Sequence, residues 1–343
     1  MKKAILYEKL ENNKVRCIAC SHQCLINDEK TGICGIRQNK DGDLYLLVYG
    51  KAISVNIDPV EKKPLFHFLP GQKAFSLGTI GCNFGCDFCQ NWEISQLPKT
   101  IDKIRETSYE MQHENWLPKT IVKNCQDSKI PMIAYTYNEP TIWAEYAFDT
   151  MKLAKGQGIK NVWVSNGFMS NKTLEFISPY LDAINIDLKS FSDDFYKKIC
   201  KARLEPIKEN IKKIWQKGIW TEVTTLIISE LNDSEKELKQ MAEFLKDISV
   251  DIPWHISAFY PSYKMLDIAP TPQETLIKAY KIGKDAGLKY VYTGNIPDSE
   301  FESTLCPNCN FLIIKRLGME TLENKLKNGK CPKCGEKIAG KWN

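Results

Sequence analysis

Eleven of the thirteen cysteines in this 343-residue chain fall into three tight groups, and this grouping limits the possible folds more than any other feature. In a chain without a secretory leader, CxxC-type spacing is more typical of metal ligands than of disulfides. The first residues, MKKAILYEKL, are too charged for a signal peptide, and no run of about 18 apolar residues is present. The sequence therefore predicts a cytoplasmic metal-binding protein that does not cross a membrane.

Apolar strands alternate with amphipathic helices through most of the chain. The predicted strands cover 74–81, 131–138, 161–167, 182–190, 220–229, 253–261 and 289–295, and the main helices cover 141–158, 204–218, 234–247 and 272–287. Such alternation indicates βαβ units and a parallel sheet. About seven strands are too few for a closed eight-stranded barrel. We therefore predict an α/β fold, a partial (open) parallel β/α barrel with its active site at the carboxyl ends of the strands.

The cysteine groups suggest three parts. Residues 1–65 form a small Cys-rich metal-binding segment with a β-hairpin in LYLLVYGKAISVNI, residues 66–300 form the partial barrel, and residues 301–343 form a four-cysteine zinc-ribbon or rubredoxin-like domain. Residues 311–343 hold eight Lys/Arg against three Glu, which accounts for the whole net charge of +5. The remainder is neutral overall, so no broad nucleic-acid-binding surface is implied.

The central group lies in GTIGCNFGCDFCQNW (78–92), directly after the first predicted barrel strand. The thiolates of Cys82, Cys86 and Cys89 can wrap one face of a compact iron–sulfur cube, with Gly81 and Gly85 allowing tight turns. Four cysteines would saturate a [4Fe-4S] cluster, whereas three leave one iron open. Open coordination is typical of catalytic metal sites, so this group predicts a site that binds a further molecule.

The spacing Cys82-x3-Cys86-x2-Cys89, with Phe88 before the third cysteine, resembles the signature of radical S-adenosylmethionine (SAM) enzymes. The wider chain is similar to the radical SAM enzymes of the AmmeMemoRadiSam system, near the branch of the pyruvate formate-lyase activating enzymes. The motifs that carry this likeness are DPVEKKPLFHFLPG, CNFGCDFCQNW, TYNEPTIWAEYA, DAINIDLKSF, PWHISAFYP and YVYTGNIPD. The resemblance implies that the open iron chelates SAM and that the reduced cluster cleaves it to a 5′-deoxyadenosyl radical, which abstracts hydrogen from a substrate.

The same resemblance implies a set of SAM-binding residues, namely Phe88, Gln90, Asn138, Glu139, Asn166, Gly167, Asp187, Lys189 and His255. Glu139 stands where the family receives the methionine amine, although Tyr137 and Asn138 replace the family's glycines there. Lys189 would pair with the SAM carboxylate, and Asp187 would be a proton or hydrogen-bond partner. Together with His255, expected near the ribose, these two are the catalytic candidates.

Simpler roles remain open for the same residues. Glu139 could be the acidic residue of a first helical turn, and Asp187 with Lys189 could be a surface ion pair. His255 could be a core histidine, and Asn166-Gly167 could be ordinary turn chemistry.

The C-terminal group pairs Cys306-x2-Cys309 with Cys331-x2-Cys334. Two such knuckles about 20 residues apart predict a structural zinc site, with rubredoxin-like iron as the alternative. A unit of about 40 residues cannot bury enough core alone, so the metal would supply its folding energy.

The N-terminal group, Cys17-x2-Cys20-x3-Cys24-x9-Cys34, predicts either a structural zinc site or a second iron–sulfur cluster. A metal-free or redox arrangement also stays open, and His22 could replace one of the cysteines as a ligand. The residues leave the type of this second metal undecided.

These features point to a radical SAM oxidoreductase. Activation of a glycyl radical enzyme is the first subtype, and modification of a small molecule or peptide is the second. The alternative from another class is a zinc-ribbon module that binds nucleic acid or protein on a degenerate barrel. Expected partners are a protein or small-molecule substrate, an electron donor such as flavodoxin or ferredoxin, and Memo-like and AMMECR-like proteins from the family name. Neither a membrane nor nucleic acid is expected as a partner.

Overall fold

The computed structural model describes residues 1–96, 99, 115–296 and 301–343. Six short strands begin the chain, β1 (Lys2–Lys3), β2 (Tyr7–Lys9), β3 (Val15–Cys17), β4 (Leu25–Ile26), β5 (Arg37–Lys40) and β6 (Asp43–Leu46). They form two three-stranded antiparallel sheets, with strand orders β1-β6-β5 and β2-β3-β4.

The β-hairpin predicted in LYLLVYGKAISVNI is wrong. Strand β6 pairs with β5 across a turn at Asp41 and Gly42, whose φ angles are 54° and 76°. A two-residue hairpin turn needs positive φ at both central residues, and Asp-Gly meets that need better than the sequence around Gly50. The second half of the predicted hairpin, β7 (Ser54–Pro59), pairs instead with β8 (Lys73–Gly78) in another sheet.

The main sheet has eight strands in the order β14-β13-β12-β11-β10-β9-β8-β7. After β7 and β8 come β9 (Met132–Tyr135), β10 (Lys160–Ser165), β11 (Ala183–Asp187), β12 (Trp220–Ile227), β13 (Trp254–Ala258) and β14 (Val291–Gly294). Strands β8 to β14 are parallel neighbours in chain order, and antiparallel β7 lies at one edge. Within the described residues β7 and β14 do not pair, so the predicted open parallel sheet is confirmed.

Helices connect the strands of this sheet, and the longer ones pack against it. They are α1 (Trp92–Ser95), α2 (Pro118–Asp127), α3 (Ala144–Gly156), α4 (Asn171–Ile177), α5 (Asp193–Phe195), α6 (Glu205–Gln216), α7 (Glu235–Ile248) and α8 (Gln273–Asp285). In α7 the Ser234 side chain accepts from Glu237 N, and Leu238, Met241 and Leu245 are buried. A capped start followed by apolar residues three and four apart explains why this segment packs as a helix. Among the described residues, no helix is both long and apolar enough to span a membrane.

The inner face of the sheet is filled at its amino-terminal end by the segment between β7 and β8. Val60, Leu65 and Phe68 pack against first-half residues of the parallel strands, including Met132 and Val162. The carboxylate of Glu222 on β12 fixes this segment by accepting hydrogen bonds from Phe66 N at 2.9 Å and His67 N at 2.8 Å. One end of the partial barrel is therefore closed, and the other end is free to hold a site.

The C-terminal unit consists of β15 (Thr304–Leu305), β16 (Leu312–Leu317) and β17 (Glu320–Asn324) in one antiparallel sheet. The fully buried Arg316 joins this unit to the barrel by donating to Phe66 O at 2.7 Å, and within the unit it donates to Thr304 Oγ1 at 2.8 Å. The predicted boundary at residue 300 and the last two residues of YVYTGNIPD lie outside the described residues.

Candidate active site

The three central cysteines lie in the loop that follows β8, at the carboxyl edge of the parallel sheet. Gly81 has a φ of +82°, and a Cβ atom there would stand 2.4 Å from Cys34 O, so only glycine fits. Cys82, Cys86 and Cys89 all line one cavity of about 850 Å³. The cavity is also lined by the following sequence-predicted residues: Phe88, Gln90, Asn138, Glu139, Asn166, Asp187, Lys189 and His255.

The environment of these thiols keeps them protonated in the absence of a metal. Burial raises the pKa of Cys82 and of Cys89. A hydrogen bond with Cys200, followed by burial, raises the pKa of Cys86 well above its usual value. Thiolates are the metal-binding form, so metal binding here releases protons and is favoured by rising pH.

Asn138 and Glu139 follow β9. The Asn138 amide connects neighbouring strand ends, since its Nδ2 donates to Ile80 O and Gly81 O, and its Oδ1 accepts from Thr79 N. Its observed contacts are with the chain, and through Gly81 they support the cysteine loop.

The Glu139 carboxylate is 2% exposed and accepts four hydrogen bonds from the chain. Its Oε1 accepts from Thr141 N, Thr141 Oγ1 and Ser165 Oγ, whereas Oε2 accepts from Asn166 N alone, at 2.7 Å. Burial raises the pKa of Glu139, although the hydrogen bonds oppose that shift. A carboxylate oxygen has two acceptor positions, so Oε2 keeps capacity for one more donor.

Asn166 and Gly167 follow β10 and differ in placement. Asn166 is buried at the cavity, and its Nδ2 donates to Asn83 Oδ1 at 2.8 Å within the cysteine loop. Gly167 has a φ of +72°, and an added Cβ would lie 2.8 Å from Ile186 Cγ2. Gly167 lies outside the cavity lining, where it makes the turn that positions Asn166.

Asp187 and Lys189 follow β11. Lys189 Nζ lies 2.9 Å from Asp187 Oδ2 and 5.6 Å from the centre of the Phe88 ring. The lysine side chain is 14% exposed, so this is not a surface pair. Burial opposes its charge, but Asp187 and the thiols of Cys86 and Cys200 raise the pKa of Lys189 well above its usual value. Lys189 is therefore a fixed cation beside the thiols.

His255 on β13 is held by Glu222, with 2.6 Å between Nε2 and Oε2. The Phe66 ring meets the imidazole edge-on, with 4.7 Å between ring centres. Both side chains of this hydrogen-bonded pair are almost fully buried, although His255 still borders the cavity. Sequence reasoning missed Glu222, and the signal was a charged residue inside the apolar run WTEVTTLII.

Two further cavity residues were not predicted. The hydroxyl groups of Thr224 on β12 and Thr293 on β14 are buried and have no hydrogen-bond partner among the described residues. Buried polar groups without partners are rare in native proteins. Their position in the cavity wall fits a site that a polar ligand completes.

The C-terminal cysteines form a compact site. The sulfur atoms of Cys306, Cys309, Cys331 and Cys334 all lie within 4.8 Å of one another. Two of these separations, Cys306 to Cys334 and Cys309 to Cys331, are 3.5 Å and 3.7 Å. Zinc–sulfur bonds of about 2.3 Å at a tetrahedral ion require sulfurs about 3.8 Å apart, so this group fits a single ion.

The central cysteines fit a larger group than a single ion. Among the described residues, Cys82, Cys86 and Cys89 do not bring their sulfurs within 4.8 Å of one another as the C-terminal four do. An iron–sulfur cluster is wider than one ion and takes its thiolates at its corners. The three thiols, the nearby cation of Lys189 and the unsatisfied cavity hydroxyls fit such a cluster with a polar ligand beside it.

Comparison with known proteins assigns a family to the barrel domain. Residues 77–245 match the family model of the Radical SAM superfamily. The uncharacterized protein MJ0808 of Methanocaldococcus jannaschii is 43% identical over 341 residues, covering 98% of this chain and 99% of that protein. Residues 77–245 are therefore a radical SAM domain, and the chain shares a family with MJ0808.

Two more distant similarities carry an activity in their names. The pyruvate formate-lyase-activating enzyme of Clostridium pasteurianum is 24% identical over 217 residues, covering 60% of this chain and 87% of that enzyme. The crystal structure of a domain of pyruvate-formate lyase-activating enzyme from Bacteroides vulgatus has a TM-score of 0.40 at 22% identity, covering 47% of this chain and 98% of that domain. The superfamily implies an enzyme that uses a [4Fe-4S] cluster and SAM.

Proposed function

We propose that this chain is a radical SAM oxidoreductase that binds a [4Fe-4S] cluster through Cys82, Cys86 and Cys89. SAM would occupy the adjoining cavity. The observation that carries the proposal is that three thiols, and no fourth cysteine among the described lining residues, open onto one cavity with charged and polar groups in its wall. When bound, the cluster and SAM supply the one-electron chemistry that removes a hydrogen atom from a substrate.

The chain's own residues would bind and orient SAM. Lys189, kept protonated by Asp187, would pair with the carboxylate of the methionine part. The open acceptor position on Glu139 Oε2 suits the amine. His255, held in place by Glu222, and the unpartnered Thr224 hydroxyl would face the remaining polar groups of the ligand. Phe88 and Gln90 would border the adenine.

Activation of a glycyl radical enzyme is the first substrate class that we propose, and the activating-enzyme relative supports it. Modification of a small molecule or peptide is the second. The C-terminal unit contributes Gly318 and Met319 to the cavity wall. The cavity volume of about 850 Å³ lies within the usual range of small-molecule sites.

The remaining partners follow from the same proposal. We place the enzyme in the cytoplasm with a flavodoxin or ferredoxin as electron donor. The order of its motifs supports membership of the AmmeMemoRadiSam system, with Memo-like and AMMECR-like proteins as associates. A zinc ion would bind the four C-terminal cysteines, whose sulfur separations suit it.

The test is anaerobic reconstitution with iron and sulfide, followed by dithionite and SAM. The products 5′-deoxyadenosine and methionine would be assayed for wild type, Cys89→Ala and Cys125→Ala. Cys125 is fully buried outside the cavity and is the matched control. Wild type and C125A should form both products, and C89A should form neither. If wild type binds no iron under any anaerobic condition, the proposal is wrong.

A further inference from the structure

We infer that Cys17, Cys20, Cys24 and Cys34 hold a second iron–sulfur cluster, packed against the loop that carries the central cysteines. The site itself depends only on the N-terminal residues. Its role as a route for electrons rests on the proposed function, because it needs a cluster in the cavity to receive them.

The four N-terminal thiols are gathered in one place. Cys17 N donates to Cys24 O at 2.9 Å, and the Cβ position at Gly32 lies 3.7 Å from Cys24 Sγ. Gln23 N donates to Cys20 O at 3.1 Å, in the turn just before Cys24. Gly35 N donates to Gly32 O at 2.9 Å, and this turn contains Cys34. Three are buried and Cys24 is half-buried. Four clustered free thiols without a disulfide are typical of a metal site.

The spacing of these thiols differs from that of a single-ion site. In the part of the chain that the structure describes, the C-terminal four alone bring three or more sulfurs within 4.8 Å of one another. The N-terminal thiols are spread more widely, like the three that line the cavity. Four cysteines are the usual ligands of a [2Fe-2S] or [4Fe-4S] cluster, which is wider than zinc.

His22 is already engaged elsewhere. Its Nε2 lies 2.9 Å from Asn83 O, and its ring packs against Phe168 with 4.9 Å between ring centres. The imidazole therefore connects the N-terminal segment with the central cysteine loop. This leaves the four cysteines as the ligand set, and sulfur-only coordination suits an iron–sulfur cluster.

The N-terminal site lies directly against the cavity loops. Cys34 O lies 2.4 Å from the position that a Cβ atom would take on Gly81, the residue that precedes Cys82. On the other side, Ser21 N donates to Phe168 O at 3.0 Å, and Cys20 pairs with Met169 in an isolated bridge. Hence the segment with the four thiols contacts both the loop of the central cysteines and the turn that follows β10.

This contact gives the second cluster a role. One electron would pass from a reduced carrier protein such as flavodoxin or ferredoxin to the N-terminal cluster, and then to the cluster in the cavity. The carrier is oxidised by one electron for each electron delivered to SAM, so the step balances.

The experiment removes the central ligands and asks what metal remains. The variant C82A/C86A/C89A is purified anaerobically, and its iron, acid-labile sulfide and zinc are measured per chain. We expect about two or about four irons with matching sulfide and one zinc. Adding Cys24→Ser, at the least buried of the four positions, should abolish the iron and leave the zinc unchanged. Circular dichroism checks that both variants are folded.

The outcomes separate the two proposals. Two zinc ions and no iron in the triple variant, or no metal beyond one zinc, would overturn the second cluster. If wild type and the triple variant hold the same iron, the second cluster stands and the proposed function fails. As an independent measurement, the reduced triple variant should show an electron paramagnetic resonance signal that the added C24S removes; its absence with iron bound contradicts the cluster.

Discussion

The C-terminal four-cysteine site and the three-cysteine cavity loop are both built from cysteine thiols, but the two arrangements suit different purposes. In the first, the sulfurs stand at the spacing of one tetrahedral ion and would complete its coordination. In the second, the sulfurs stand further apart and face a cavity with a fixed cation and unsatisfied hydroxyls. The difference shows that the number and spacing of thiols, together with what faces them, distinguish a site that holds the fold from one that does chemistry.

The largest effect should come from removing one ligand from the C-terminal four-cysteine site. Cys331→Ala removes a buried ligand from the C-terminal four, and we expect a loss of at least about 5 kcal/mol of unfolding free energy, since structural zinc supplies much of the folding energy of small units. Denaturant unfolding with zinc analysis measures it. Cys89→Ala in iron-free protein is the comparison and should change stability by less than about 2 kcal/mol. Equal losses of unfolding free energy in the two variants would contradict the distinction between a structural site and a cavity site.

A second prediction concerns His67, whose side chain joins the C-terminal unit to the barrel. Its Nδ1 lies 2.6 Å from Ala339 O in the C-terminal unit, and its Nε2 lies 2.5 Å from Tyr292 Oη on β14. Burial lowers the pKa of His67 to about 4. The unfolded chain therefore binds more protons between about pH 4 and 6.5, so the stability from this group is complete above pH 6.5 and falls by about 3 kcal/mol towards pH 4.

Unfolding midpoints of wild type and His67→Gln between pH 4.5 and 7.5 test this dependence. The variant should lose most of the slope in that window. The contact with His255 lowers the pKa of Glu222, although burial opposes that shift. Glu222 therefore titrates below its ordinary range and affects stability only at lower pH. A slope equal in the two proteins would assign the pH dependence to other groups.

A third prediction sharpens the role of the cation in the cavity. Lys189→Met should lower the rate of 5′-deoxyadenosine formation about 100-fold, or about 2.7 kcal/mol, since it removes the charge that pairs with the ligand. Lys198→Met is the matched control, because Lys198 pairs with Asp194 on the open surface and exposed pairs contribute little. A similar loss in both variants would argue against a specific role for Lys189.

The smallest effect should come from Thr224, whose buried hydroxyl has no partner in the part of the chain that the structure describes. Thr224→Val should leave the ligand-free protein as stable or about 1 kcal/mol more stable, and weaken SAM binding up to about 10-fold. Equilibrium binding and unfolding curves measure both. Thr225→Val is the control, since that hydroxyl donates to Leu188 O at 2.9 Å, and its loss should destabilise the protein. Unchanged SAM affinity in T224V would remove Thr224 from the ligand contacts.

Much of the barrel could be predicted from the sequence. Long apolar strands and capped amphipathic helices have residue patterns that can be recognised in the sequence. All seven parallel strands and the four main helices therefore fall where expected. Strand pairing in the N-terminal part could not be predicted in the same way. The alternating apolar residues of 44–48 suit pairing with several strands. The strand that pairs with β7 is β8, which follows the segment that fills the barrel.

The candidate site shows the same limit. Motifs identified the cysteines and the residues after each strand, because parallel strands bring their carboxyl ends to one edge. They did not reveal that Asn138 makes all its observed contacts with the chain, or that Glu222 supports His255 from the closed end. Those roles depend on residues far apart in sequence, and no local pattern encodes such contacts.

The buried Arg316 contact has a consequence for cooperativity. Its guanidinium donates across the junction to Phe66 O, and Phe66 packs on His255 in the cavity wall. The C-terminal unit and the barrel thus share a continuous interior, in which heat that melts one must loosen the other. A metal held by the C-terminal cysteines would then set the temperature up to which the cavity, whose wall includes Gly318 and Met319 of the same unit, keeps its shape.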